Sequence, residues 1–163
     1  MADGHDITPE GGLGEVALRV LTPADAGAYL ALRLEALAAE PTAFGMSPEE
    51  EGGIEAMSGR LAAADVTVVG AFAAGRLVAT AGLRRESNAK ERHKAFVFGV
   101  YVTPAARGEG VGRALMNFVL DVARSTTGLR RLRLAVNASS APARSLYGSL
   151  GFEPVGHEAQ RSV

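Results

Sequence analysis

One stretch constrains this chain more than any other. Ala95, Phe96, Val97, Phe98, Gly99, Val100, Tyr101 and Val102 form an unbroken apolar run, and shortly after it come Arg107, Gly108, Glu109, Gly110, Val111, Gly112, Arg113 and Ala114. A run so rich in β-branched and aromatic residues predicts a central strand buried on both faces. After the glycines, Val111, Leu115, Phe118, Val119 and Val122 recur at helical spacing, so a helix follows the turn and is expected to stop at Gly128. A helix that follows a buried strand in this way carries the chain back for a parallel neighbour, which commits the fold to a mixed sheet with a parallel portion.

The same glycines have a chemical reading. Without side chains in the first helical turn, a phosphate can approach the free backbone N–H groups, where the helix dipole also favours negative charge. The turn lacks the Gly-Lys-Ser/Thr ending of a P-loop and the spacing of a dinucleotide fingerprint, so ATP and NAD fit poorly. The competing explanation is a helix packed tightly on a sheet at positions that need no side chain. Gly99 adds a second signal, because a glycine inside an apolar strand often marks a bulge that leaves backbone N–H groups pointing at something.

The rest of the chain supports an α/β arrangement. Val16, Leu18 and Val20 alternate as a half-buried strand, and Thr22, Pro23 and Asp25 read as the start of a helix running to about Ala39. Pro41 to Gly53 reads as a loop leading to a second short helix ending near Ala64. Val66–Ala73 and Leu77–Leu83 form a hairpin around Ala74, Gly75 and Arg76. Arg131 to Val136 alternates basic and apolar residues as a strand with one wet face, Ser140 and Pro142 open a further helix that Gly151 closes, and Phe152–His157 is the last strand candidate. Residues 1–14, rich in Gly, Asp and Pro, read as a flexible leader, and residues 15–163 as a single domain.

Several function classes are disfavoured. The 163-residue chain contains no cysteine, which removes disulfides and thiolate chemistry, and three scattered histidines do not make a metal site, so no metal is expected. No apolar run is long enough to span a bilayer, and acidic residues stand where a secretory signal would be basic, so no membrane association is expected and the location is expected to be cytoplasmic. Charge is lopsided: residues 1–60 carry 11 acidic and 3 basic side chains, residues 61–163 carry 7 and 14. A basic half suits an anionic ligand and an acidic half a cationic one. Arg130, Arg131 and Arg133 have no interleaved aromatics and read as a solvated face, so no nucleic-acid partner is expected.

The glycine-rich turn after a strand, followed one strand later by Leu146, Tyr147, Gly148, Ser149, Leu150, Gly151 and Phe152, resembles the coenzyme A-binding core of the GNAT family of N-acetyltransferases. The likeness covers roughly Lys94 to Gly156 and extends to the N-terminal Leu-Thr-Pro-Ala-Asp and Ala-Phe-Gly segments. It implies an acyl-CoA N-acyltransferase-like fold, a central mixed β-sheet flanked by helices, with residues 15–163 as one N-acetyltransferase domain. It implies acetyl-CoA as cosubstrate and an amine acceptor, either a small molecule or a protein N-terminus; a homodimer is compatible with it.

By the same resemblance, backbone groups of Val100 and Val102 hold the thioester carbonyl and the pantetheine arm. Arg107, Gly108, Gly110, Val111, Gly112 and Arg113 cradle the pyrophosphate, and Tyr147 protonates the departing thiolate. Many relatives have asparagine where this chain has Ser140, which keeps the helix cap with a shorter reach toward the pantetheine. Relatives also usually add a strand beyond the one expected to end at His157. Glu35, Glu86 and His93 are candidate bases, none of them singled out. The alternative to an enzyme is a non-catalytic acetyl-CoA-binding sensor or regulatory module.

Overall fold

The computed structural model describes residues 6–7, 15–39, 52–135, 141–155 and 158–163. The loop residues 41–51 and the residues Ser140, His5 and His157 lie outside the described residues, so expectations that fall on them are not addressed by the structure. Eight described strands make one sheet: β1 (Asp6–Ile7), β2 (Val16–Val20), β3 (Val66–Ala73), β4 (Arg76–Arg85), β5 (Lys94–Val102), β6 (Arg131–Ala135), β7 (Glu153–Val155) and β8 (Glu158–Ser162). Their order across the sheet is β1-β2-β3-β4-β5-β6-β8-β7. Among the described strands only β5 and β6 pair in parallel, through the crossover helix α3 (Val111–Arg124). The remaining helices are α1 (Ala26–Ala39), α2 (Ile54–Ala62) and α4 (Ala141–Ser149).

The sheet is covered on both sides. On one face α3 buries Val111, Leu115, Met116 and Val119 against Ala79, Ala81, Ala95, Val97, Leu132 and Leu134, and Tyr147 and Phe152 join the same cluster. On the other face Tyr29 and Ala26 of α1 meet Met57 of α2 and Val68 of β3, and farther along α1 Leu32 and Ala36 pack on Tyr101.

The start of α1 shows how local chemistry fixes an element. Pro23–Asp25 forms a 3-10 turn that runs into the helix. The Thr22 N–H donates to Asp25 Oδ2 at 2.7 Å, while the Asp25 N–H donates to the Thr22 carbonyl at 2.8 Å. Arg19 of β2 closes on both oxygens of the same carboxylate at 2.9 Å. These bonds, the arginine's first, hold the Asp25 carboxyl down to about 2.

Three expectations change. The strand Lys94–Val102 is not buried throughout: Ala95, Val97 and Tyr101 are buried, while Phe96, Phe98, Val100 and Val102 are only partly so. Helix α3 ends at Arg124 and not at Gly128: the Ser125 and Thr126 hydroxyls donate to the carbonyls of Asp121 and Val122 at 2.9 and 2.8 Å, drawing the chain out of the helix one turn early. The last strand candidate, Phe152–His157, is matched by the shorter β7, and the further strand that relatives usually add is present as β8, inserted between β6 and β7 and tied by Arg133, which donates to Glu158 Oε1 from Nε at 3.0 Å and from Nη2 at 2.6 Å. Its sequence, Glu-Ala-Gln-Arg-Ser, has no apolar pattern because only Ala159 is buried.

The β3–β4 hairpin closes through Ala74 and Gly75, both at positive φ, 50° and 79°. That is the signature of the type I′ turn, whose first central position favours asparagine, so Ala74 carries a left-handed strain of about 1 kcal/mol. Ala74→Asn should raise stability by about 0.5–1 kcal/mol, seen as a melting point higher by roughly 1–4 °C; an unchanged melting point would show that the turn is not strained. Asp25→Asn should cost about 1 kcal/mol near neutral pH. Because the folded carboxyl is held below its unfolded value of about 3.9, that difference is fully present above about pH 4 and disappears as pH falls toward 2, which thermal melts of both proteins across that range would show.

Candidate functional site

The site begins where β5 changes register. Among the described residues β5 and β6 pair from Lys94↔Arg131 to Val97↔Leu134. On its other edge β5 stays paired with β4, but the register shifts between Thr80 and Gly82, where Gly82 faces Phe98 and Thr80 faces Tyr101. Ala81 therefore stands opposite two residues, Gly99 and Val100, and the bulge anticipated at Gly99 is present, with Gly99 at φ 60°. The extra residue exchanges the faces of the strand. Before it, Ala95 and Val97 point to the α3 side; after it, Val100 and Val102 do, and Tyr101 turns to α1.

Three segments converge beyond the bulge. A Cβ on Gly112, in the first turn of α3, would lie 3.6 Å from Leu146 of α4 and 3.7 Å from Val102 of β5. Arg113 Nη2 donates to Ser149 Oγ of α4 at 2.9 Å. Arg107 Nε donates to the Val102 carbonyl at 2.9 Å, and its guanidinium lies 5.6 Å from the centre of the Tyr101 ring. Gly108 and Gly110 both take positive φ, 80° and 79°, with Gly110 as the N-cap of α3, and a Cβ at either would meet nothing within 4 Å. None of the three is there to let helix and sheet touch: two serve the backbone conformation and face open space, and the third makes only ordinary contact.

Tyr147 is 9% exposed, its ring edge-on to Phe152 at 6.0 Å between centroids, within the cluster under α3. It therefore shares its helix with the Leu146 and Ser149 contacts to the glycine-rich turn. Val111 is fully buried and anchors that turn from below.

The candidate bases separate by position. Glu86 and His93 lie at the entry end of β5, where the Glu86 N–H meets the Lys94 carbonyl and the His93 carbonyl accepts from Arg130 and Arg131. Glu35 lies at the bulge end, its Oε2 accepting from the hydroxyls of Tyr101 and Thr103, each at 2.7 Å. Arg133 is engaged with Glu158 at 2.6 Å. Among the described residues there is no cluster of three potential metal ligands, and no helix is long and apolar enough to cross a membrane.

Sequence reasoning missed Arg33. It is buried on α1 at 6% exposure, and its Nη1 lies 2.6 Å from where a Cβ on Gly99 would be. The only trace of this in the sequence is a charged residue on the helix face that also holds Leu32, Ala36 and Leu37.

Comparison with known proteins gives a consistent picture. The family described as "Acetyltransferase (GNAT) family" matches residues 31–152. The chain is 31% identical to a mycothiol acetyltransferase of Beutenbergia cavernae, over 98% of this chain and 57% of that protein, so it spans little more than half of that relative's length. It is 32% identical to an aminoglycoside N(6')-acetyltransferase type 1 of Stenotrophomonas maltophilia, over 83% of this chain and 85% of that one. The crystal structure of a GNAT-family acetyltransferase from Streptococcus pneumoniae superposes with a TM-score of 0.81 at 18% identity, covering 91% of this chain and 99% of that one, which speaks for the fold alone.

Substitution in the turn separates backbone strain from packing. Gly110→Ala should cost about 1–2 kcal/mol for its left-handed conformation, while Gly112→Ala, in a helical position with room for a methyl, should be neutral or stabilising by up to about 1 kcal/mol. Thermal unfolding of both reads this out; equal losses would return the glycines to a packing role.

Proposed function

We propose, for a chain that belongs to the acetyltransferase (GNAT) family, that it moves an acetyl group from acetyl-CoA to a primary amine by direct attack in a ternary complex, with residues 15–163 acting as a single N-acetyltransferase domain. The family uses acetyl-CoA. The observation that carries the reading is the bulge at Gly99 in β5, followed along the chain by a glycine-rich helix start at which Gly108 and Gly110 leave open space.

In this reading the pyrophosphate rests on the N–H groups around Gly108, Gly110, Val111 and Gly112, where the helix dipole and the guanidiniums of Arg107 and Arg113 favour it. The pantetheine follows the end of β5 past Val102 and Val100. The thioester carbonyl then reaches the bulge. The neutral amine attacks the carbonyl carbon, a C–N bond forms, and the carbonyl π pair moves to oxygen, where bulge N–H groups receive it. Collapse breaks the C–S bond and the thiolate takes a proton from Tyr147. The proton lost by the amine passes to solvent or to a carboxylate, for which Glu35 stands at the right end of β5. Most of the acceleration in such a scheme comes from holding the two reactants together.

The names of the two relatives make a small amine-bearing molecule the first acceptor class to try, with a protein N-terminus as the second. Release of free thiol from acetyl-CoA across a panel of amines tests the reading; binding without turnover on any amine would favour a sensor or regulatory module. Tyr147→Phe tests the acid. The ring stays in its contact with Phe152, so folding and coenzyme affinity should hold while turnover falls by about 100-fold; unchanged turnover with the best acceptor would leave Tyr147 a packing residue.

A further inference from the structure

Among the described residues two polar side chains are buried, Arg33 at 6% and Thr80 at 2% exposure, and both converge on one peptide. Thr80 Oγ1 donates from β4 to the Gly99 carbonyl at 3.5 Å, the outer limit of a hydrogen bond. Arg33 reaches the same residue from α1, with Nη1 2.6 Å and Cζ 3.6 Å from the position of a Gly99 Cβ. A guanidinium keeps its proton in proteins, and withdrawing it from water is costly.

We propose that Arg33 is a positioning residue for acetyl transfer: its buried charge backs the Gly99 bulge and polarises it toward the thioester carbonyl oxygen, while Thr80 holds the same peptide from β4. This rests on the acetyltransferase reading above. Burial argues against the other use of an arginine here, capture of an anionic group on the acceptor, because little of the side chain is within reach of an incoming molecule. Negative charge appears on the thioester oxygen only as the C–N bond forms. A fixed positive charge already in place at low dielectric therefore favours the transition state over the bound thioester. The effect belongs in kcat and not in acetyl-CoA affinity. Gly99 is constrained twice, by its φ of 60° and by the space that Arg33 occupies.

The test compares Arg33→Met, which keeps bulk and removes charge, with Arg33→Lys, which keeps charge, using thiol release for kinetics and calorimetry for acetyl-CoA binding. Arg33→Met should retain coenzyme affinity within about twofold and lose about 100-fold in kcat, and Arg33→Lys should recover at least about tenfold of that loss. A folded Arg33→Met with wild-type kcat, or with a loss confined to KM, overturns the proposal while leaving the acetyltransferase reading intact. If Arg33→Met does not fold, Arg33→Gln takes its place, and equal kcat in Arg33→Gln and Arg33→Lys overturns it. Absence of turnover in the unaltered protein with every amine would bring down the reading itself and this inference with it.

Discussion

The rest of the site depends on the bulge at Gly99, which adds one residue to β5 while that strand stays paired with β4, so that Ala81 stands opposite both Gly99 and Val100. The bulge is built from backbone, in the middle of the sheet, with packed layers above and below. A feature of that kind keeps its shape when surface loops change.

The bulge also allocates side chains. By exchanging the faces of β5, it sends Val100 and Val102 to the α3 side and Tyr101 to α1, where the phenol meets Glu35 and the ring lies near Arg107. Helix α1 is thus in contact with the strand end that leads into the glycine-rich turn. Among the described residues, strands and helices set the relative positions of the bulge and that turn.

Much of this was legible in the sequence, for physical reasons that can be named. The crossover, the hairpin and the bulge each follow from local rules: a 3.6 period after an apolar strand, two residues between two β-rich runs, a glycine where a side chain would be expected. Strand β8 was not legible because its stability comes from neighbours on both sides and from Arg133, and such a strand needs no apolar pattern of its own. The early end of α3 lay in two hydroxyls competing for helix carbonyls, a local effect weaker to the eye than the glycine three residues on. Arg33 was hidden for a different reason. Its role depends on a contact between a helix and a strand far apart in sequence, and in one dimension it is a single arginine among leucines and alanines.

The outer strand β7, three exposed residues in the order Glu-Pro-Val, bears on how this protein meets copies of itself. It pairs with β8 on one side, with Pro154 opposite Ala159, and the described strands place nothing on its other side. Proline has no N–H to offer and the flanking glutamate carries charge, so this rim is a poor template for another strand. The sheet is in this way closed to growth at that border, and any self-association has to use helix faces or side-chain surfaces in place of continuous backbone pairing there.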